Sequence, residues 1–171
     1  MVKKAEALSF AVFKTCLGWT GVIGSPNGLK KIILPLKSKE AVLELIASYG
    51  CRAENQDLAC FGELCNRIER YFSGEPTDFV DKLDLTGTTR FQQNVWRAIR
   101  NIPRGETRSY GWVACQLGLP KAARAVGQAL GKNPVPIIIP CHRVIGSDGN
   151  LGGFGGGVKM KRFLLDIEQS V

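Results

Sequence analysis

From residue 109 the chain reads SYGWVACQLGL, then Pro120, then KAARAVGQALGK. This stretch predicts two short helices joined by a tight turn. Ser109 is placed to cap the first, and Pro120 falls in the first turn of the second. On the second helix Ala123, Val126 and Leu130 recur at core spacing, while Lys121, Arg124 and Gln128 share the opposite face beside Ala122 and Ala125. That is the outline of a helix-turn-helix. Small residues on the outward face let the helix approach another surface closely, and an arginine rising from among them reaches a groove or a base stack. A helical pair that only packs has the same outline, so a second observation has to separate the two.

Charge supplies it. Residues 1 to 86 carry 11 basic and 11 acidic side chains, whereas residues 87 to 171 carry 12 and 4, so the whole net charge of +8 lies in the second half. Basicity concentrated in this way points to a polyanionic partner, most directly nucleic acid. The overall composition, 44% apolar and 22% charged, is that of a soluble globular protein. No apolar stretch reaches the roughly 18 residues of a membrane span. The opening MVKKAEALSFAVF lacks the apolar core of a secretory leader, and the protein is expected in the cytoplasm without membrane contact.

The first half reads as α/β. WTGVIGSPNGLKKIILPL predicts two strands around a Ser-Pro-Asn-Gly reversal. SKEAVLELIASYG predicts a helix capped by Ser38 and ended by Gly50, with Val42, Leu45, Ile46 and Tyr49 inward. A second helix over about 56–72 turns Phe61, Leu64, Cys65, Ile68 and Phe72 inward. DKLDLTGTT joins the halves, giving a domain over residues 1–86 and another over 87–171.

The second half opens with FQQNVWRAIRNI, where Phe91, Val95, Ile99 and Ile102 stand at helical spacing. It closes with a glycine-rich loop and a last helix carrying Met160, Phe163, Leu164 and Ile167 inward. Six cysteines contain no Cys-x-x-Cys pair, and a single histidine cannot complete a zinc site, so reduced and mostly buried thiols are expected, with no metal. That histidine, His142, follows Cys141 after the apolar run IIIP, which reads as a buried strand. A cysteine nucleophile needs a base or positive potential nearby. His142 is a candidate base acting through a water, Glu168 a candidate orienting carboxylate, and Asn133 a candidate amide tie to the turn. A structural Cys-His dipeptide remains open on these residues alone.

Taken together these segments resemble the O6-alkylguanine-DNA alkyltransferases, or methylated-DNA–protein-cysteine methyltransferases. NPVPIIIPCHRVIG is close to that family's active-site signature. GTTRFQQNVWRAIRNIPRGETRSYGWVA, PKAARAVGQAL, GNLGGFGGG and LLDIE are similar to family segments in the same order, and NGLKKIILP and YFSGEPTDF to the more variable first domain. The resemblance spans about residues 10 to 168.

What it implies is specific. The first domain would be a small antiparallel sheet with helices, ribonuclease-H-like, and the second a mostly helical, winged-helix-like domain containing the helix-turn-helix. Cys141 would take the alkyl group from guanine O6 and keep it, with His142 accepting the thiol proton through a water, Glu168 orienting His142, and Tyr110 protonating or hydrogen-bonding the departing guanine. Asn133 would link the recognition helix to the cysteine segment. Arg124 would fill the space of a flipped nucleotide, with Tyr110, Gly111, Lys121, Ala122, Ala123, Ala125, Gln92 and Ser147 along the DNA. Pro136, Leu151, Gly152, Gly153, Phe154, Gly155 and Gly156 would wall the guanine pocket. The partner implied is double-stranded DNA carrying O6-alkylguanine, bound in the minor groove by a monomer that needs no cofactor. Phe154 stands where some family members carry tyrosine, Gly155 and Leu119 where some carry polar residues, which bears on substrate range. A DNA-binding regulator would explain the charge but not the Cys-His-Glu set; a cysteine hydrolase would explain the thiol but not the DNA features.

Overall fold

The structure is a computed structural model that describes residues 7–169. The opening residues 1–6, read above for a leader, lie outside the described part. The chain divides into two compact units, one ending at Asp84 and one beginning at Leu85.

The first unit is built on a three-stranded antiparallel meander, β1 (Ser9–Thr15), β2 (Gly18–Ser25) and β3 (Gly28–Leu36). Pairing runs Val12 to Gly21 and Gly21 to Ile33. The Ser-Pro-Asn-Gly reversal forms as expected, with Gly28 at φ +140°, where a Cβ would lie 2.4 Å from the Lys82 carbonyl oxygen. β1 was not expected. Phe10, Ala11 and Val12 are consecutive and all buried, so the strand shows no alternation of apolar and polar residues. It is covered on both faces: α1 (Lys39–Ser48) packs Val42 and Ile46 on Phe10, Val12, Ile23 and Ile33. Gly24 admits the ring of Phe61 from α2 (Leu58–Phe72).

Ser38 caps α1 through Ala41 N–H and Asp57 caps α2 through Cys60 N–H. All five inward residues named for α2 are buried, and Tyr71 joins them. On α1 the expectation needs correction: Leu45 and Tyr49 are 42% and 44% exposed, because only one narrow stripe of this short helix meets the sheet.

In the second unit α3 (Arg90–Arg100) begins with a Thr89–Gln92 capping box and buries Val95, Trp96 and Ile99. α4 (Tyr110–Gln116), capped by Ser109, and α5 (Ala123–Gly131) pack on it and on each other. The Trp96 indole donates to the Ala129 carbonyl at 3.0 Å, tying α3 to α5. Pro120 and Lys121 lie in the turn rather than in α5, which starts after Ala122 without a side-chain cap. Two short strands, β4 (Arg108–Ser109) and β5 (Val144–Ile145), pair in parallel, and α6 (Val158–Gln169) ends the described chain. The buried face of α6 is Lys161, Leu164, Leu165 and Glu168; of the set expected, Leu164 is buried, but Met160, Phe163 and Ile167 are only half-buried.

All six cysteines are free thiols; Cys51, Cys65 and Cys141 are buried, but Cys16, Cys60 and Cys115 are exposed, against the expectation that most are buried. Among the described residues no group of three His, Cys, Asp or Glu side chains is placed to hold a metal ion, and no helix is long and apolar enough to cross a membrane.

Candidate active site

The run IIIP is not a strand. Pro134, Pro136 and Pro140 have no N–H to give a ladder, and the segment folds instead into successive tight turns. Ile139 N–H donates to the Val135 carbonyl at 3.0 Å across Ile137, which is left-handed at φ +78°. Cys141 N–H then donates to the Ile139 carbonyl at 2.8 Å around Pro140 at φ −80°, ψ +62°, an inverse γ-turn. One 3-10 turn, Cys141–Arg143, follows. Asn133 braces this path from inside: its carbonyl oxygen accepts Val135 N–H at 3.0 Å, and its amide nitrogen donates to the Ile139 carbonyl at 2.8 Å and to Cys141 Sγ at 3.0 Å.

Cys141 is 8% exposed, and burial pushes its thiol above the ordinary range. The Asn133 hydrogen bond, the Lys161 charge and the local backbone N–H groups pull the other way without reversing it. The resting group is therefore the thiol, and a base is needed to make it a nucleophile.

His142 is fully buried and its Nε2 lies 3.0 Å from Glu168 Oε1. Burial holds the imidazole below its ordinary value, against the pull of Glu168. It is thus neutral at pH 7; because a carboxylate only accepts, the ring carries its proton on Nε2 and presents Nδ1 as the accepting nitrogen. Glu168, one turn beyond Leu164, also receives Arg143, from Nε to Oε2 at 2.9 Å and from Nη2 to Oε1 at 2.8 Å. Lys161 is 1% exposed and its amine donates to the carbonyls of Val144 and Leu151, linking β5 to the glycine-rich loop.

Cys141 opens into a cavity of about 480 Å³ lined by Tyr110, Gly127, Leu130, Gly131, Gly153, Phe154 and Gly155. Tyr110, in the first turn of α4, fits because of Gly152: a Cβ there, at φ +66°, would lie 2.6 Å from its hydroxyl oxygen, whereas one on Gly127 would make only an ordinary contact with the ring at 3.6 Å. Burial raises the Tyr110 hydroxyl, and Cys141, once ionised, adds to this.

Of the expected pocket residues, Gly153, Phe154 and Gly155 line the cavity, and Gly152 stands against Tyr110. Leu151 is buried with its carbonyl on Lys161, and Pro136 is buried in the turn ahead of the cysteine. Gly156 is exposed and does not line it; Ser147, expected along the DNA, is also exposed. On α5 and the turn before it Arg124, Lys121 and Gln128 are exposed, while Ala122, Ala123 and Ala125 are half-buried. Gly111 is half-buried in α4, and the Gln92 carboxamide accepts Thr89 N–H in the capping box.

Sequence reasoning missed Arg143, Lys161 and Gly127. Arg143 was visible only as the neighbour of His142. Lys161 stands at i, i+3, i+4, i+7 with Leu164, Leu165 and Glu168, a core spacing that its charge disguised.

Comparison with known proteins agrees with this chemistry. Residues 90–170 match the family model described as 6-O-methylguanine DNA methyltransferase, DNA binding domain. A methylated-DNA–protein-cysteine methyltransferase of Methanosarcina acetivorans is 43% identical over 161 residues, covering 94% of this chain and 98% of that protein. The chain belongs to the methylated-DNA–protein-cysteine methyltransferase family. Within that family, the protein of the same name from Mycobacterium bovis is 55% identical over 114 residues, 67% of this chain and 68% of the relative. The crystal structure of Mycobacterium tuberculosis OGT in complex with DNA has a TM-score of 0.79 at 42% identity, covering 95% of this chain and 93% of the other.

Proposed function

We propose that this protein repairs O6-alkylguanine in duplex DNA by moving the alkyl group irreversibly to Cys141. Membership of the family makes it a DNA-repair alkyltransferase. The observation that carries the assignment to Cys141 is the position of its sulfur: it faces a cavity within the volume range of small-molecule sites, held by Asn133 and followed by the buried His142–Glu168 pair.

The chemistry runs on this chain's own groups. The Cys141 proton passes through a water to the accepting nitrogen of His142, and Glu168 stabilises the imidazolium. The thiolate attacks the alkyl carbon in line with the C–O6 bond; an S–C bond forms as that bond breaks. Tyr110, whose hydroxyl stands at the cavity, protonates or hydrogen-bonds the departing guanine. A thioether has no easy way back, so each molecule acts once, and no cofactor takes part.

A base inside a duplex cannot reach a buried sulfur, so the nucleotide has to leave the stack. Arg124, exposed on α5, takes the space it vacates, and the glycine-rich loop walls the extruded base. Lys121 and other exposed basic side chains of the second half bind phosphates, giving affinity without sequence readout from the minor groove. In this reading residues 87–171 form a winged-helix-like domain that binds DNA and accepts the alkyl group. Residues 1–86 form a ribonuclease-H-like domain. The protein is a cytoplasmic monomer, and O4-alkylthymine is a second substrate.

The deciding experiment is the intact mass of the protein after incubation with a duplex carrying one O6-methylguanine, followed by peptide mapping. One added CH2 on the Cys141 peptide, saturating at one per protein, is expected. An unchanged mass with DNA binding intact would make it a lesion-sensing protein instead.

A further inference from the structure

Arg143 has no part in the transfer as described, yet its guanidinium is the most fully engaged cation at the site. Besides its two bonds to Glu168, Nη1 donates to the Ile102 carbonyl at 2.7 Å, so one side chain joins the cysteine turn, the end of α3 and the face of α6. Glu168 Oε1, which it contacts at 2.8 Å, is also the atom that faces His142 Nε2 at 3.0 Å. One buried carboxylate therefore serves a guanidinium and an imidazole together.

We propose that Arg143 is a positioning residue that keeps His142 neutral, and so able to receive the Cys141 proton, by neutralising the carboxylate they share. The inference rests on Cys141 as acceptor and His142 as its base.

The argument is one of charge in a dry interior. With Arg143 present, guanidinium and carboxylate form a closed pair, and His142 stands beside it without net charge to balance. Adding a proton to His142 from solvent would leave an extra buried positive charge, which is costly. Moving the proton from Cys141 to His142 changes no net charge, because thiolate and imidazolium arise together. Without Arg143 the buried carboxylate would draw a solvent proton onto His142. An imidazolium cannot take a second proton, and the base would be lost. The other charged or titratable groups around this site act alongside. Lys161 of α6, at the Val144 and Leu151 carbonyls, also opposes a charge on His142. Cys141 lies next in the chain, Tyr110 stands at the cavity, and Arg104, after α3, donates to the Ile167 carbonyl at 2.7 Å.

His142 is the only histidine in the chain, so its ring can be followed by NMR in the untagged full-length protein without assignment. In Arg143→Gln its titration midpoint is expected to rise by roughly 1 to 3 pH units, the effect of removing a close charge. Single-turnover methyl transfer from an O6-methylguanine duplex should lose rate on the acid side over the same interval. Arg143→Lys, which keeps the charge, should leave the midpoint near that of the unmodified protein. Arg143→Gln/Glu168→Gln removes both charges of the pair and should return the midpoint to that position; it carries the test alone if the single variant does not fold. An unmoved midpoint in folded Arg143→Gln, or a raised one in the double variant, would reduce Arg143 to a structural tie. Failure of the unmodified protein to acquire a methyl on Cys141 would overturn the transfer reading instead, and the NMR result would stand apart from it.

Discussion

The side-chain nitrogen of Asn133 lies 3.0 Å from Cys141 Sγ while donating to the Ile139 carbonyl at 2.8 Å. One amide thus shapes the turn and faces the sulfur on which negative charge develops. A hydrogen bond to a charged group contributes roughly 1.5–3 kcal/mol, about 10- to 100-fold in rate. Asn133→Ala should slow methyl transfer by about that factor, and the alkaline pH needed to ionise Cys141 should move upward. Single-turnover rates across a pH series check both; a slower rate with an unmoved profile would confine Asn133 to shaping the turn.

Gly152 and Gly153 make a paired test of the loop. Gly152 is left-handed and a Cβ there meets the Tyr110 hydroxyl, whereas Gly153 faces open space. Gly152→Ala should cost about 1–2 kcal/mol in stability from the left-handed backbone alone and should displace Tyr110, slowing transfer. Gly153→Ala should stay within about 0.5 kcal/mol of the parent. Denaturant midpoints of the two variants, measured together, set the cost at Gly152 against a neighbour that has neither a left-handed backbone nor a close contact.

His142 makes the second unit sensitive to acid. Its folded pKa lies below the ordinary 6.5, so the unfolded chain binds a proton that the folded chain refuses. The resulting stability is complete above about pH 6.5 and is lost as the pH falls toward the depressed folded value, at up to roughly 1.4 kcal/mol per pH unit. His142→Gln should flatten that part of the curve. Urea midpoints at pH 7 and pH 5 for both proteins decide it, and parallel curves would mean that His142 is not held neutral.

Arg124 is exposed on α5, so its loss should not affect folding. Arg124→Ala should keep its melting temperature and react normally with a small thiol-alkylating reagent. Transfer from duplex DNA should fall by 10-fold or more, since unstacking a base costs a few kcal/mol that the arginine no longer offsets. Lys121→Gln should lower the salt dependence of binding by about one phosphate contact. Equal loss with the small reagent would place the defect at Cys141 rather than at the DNA.

How far the chain can be read without its structure varies from element to element. α2 was legible in full because Phe61, Leu64, Cys65, Ile68 and Phe72 form an unbroken apolar stripe on a polar helix. β1 was not, because burial on both faces erases the alternation that marks a strand. The inward face of α6 was misread because its ends are Lys161 and Glu168, whose charges suit a surface unless carbonyls, an imidazole and a guanidinium wait inside. The run before Cys141 was misread as a strand because hydrophobicity reports burial and not backbone shape.

The sequence by itself determined the chemistry available: a thiol, one imidazole, a concentration of positive charge, and the helical pair that carries Arg124. These are local properties, set by residue type and spacing, and they survive without coordinates. Only the tertiary structure decided which groups meet. It turned the chain at Ile137 and Pro140 so that Cys141 opens into the cavity, and it joined His142 and Arg143 to Glu168, 26 and 25 residues away. Such contacts depend on where distant elements pack and on which charges a dry interior can hold, and neither is written in local sequence pattern.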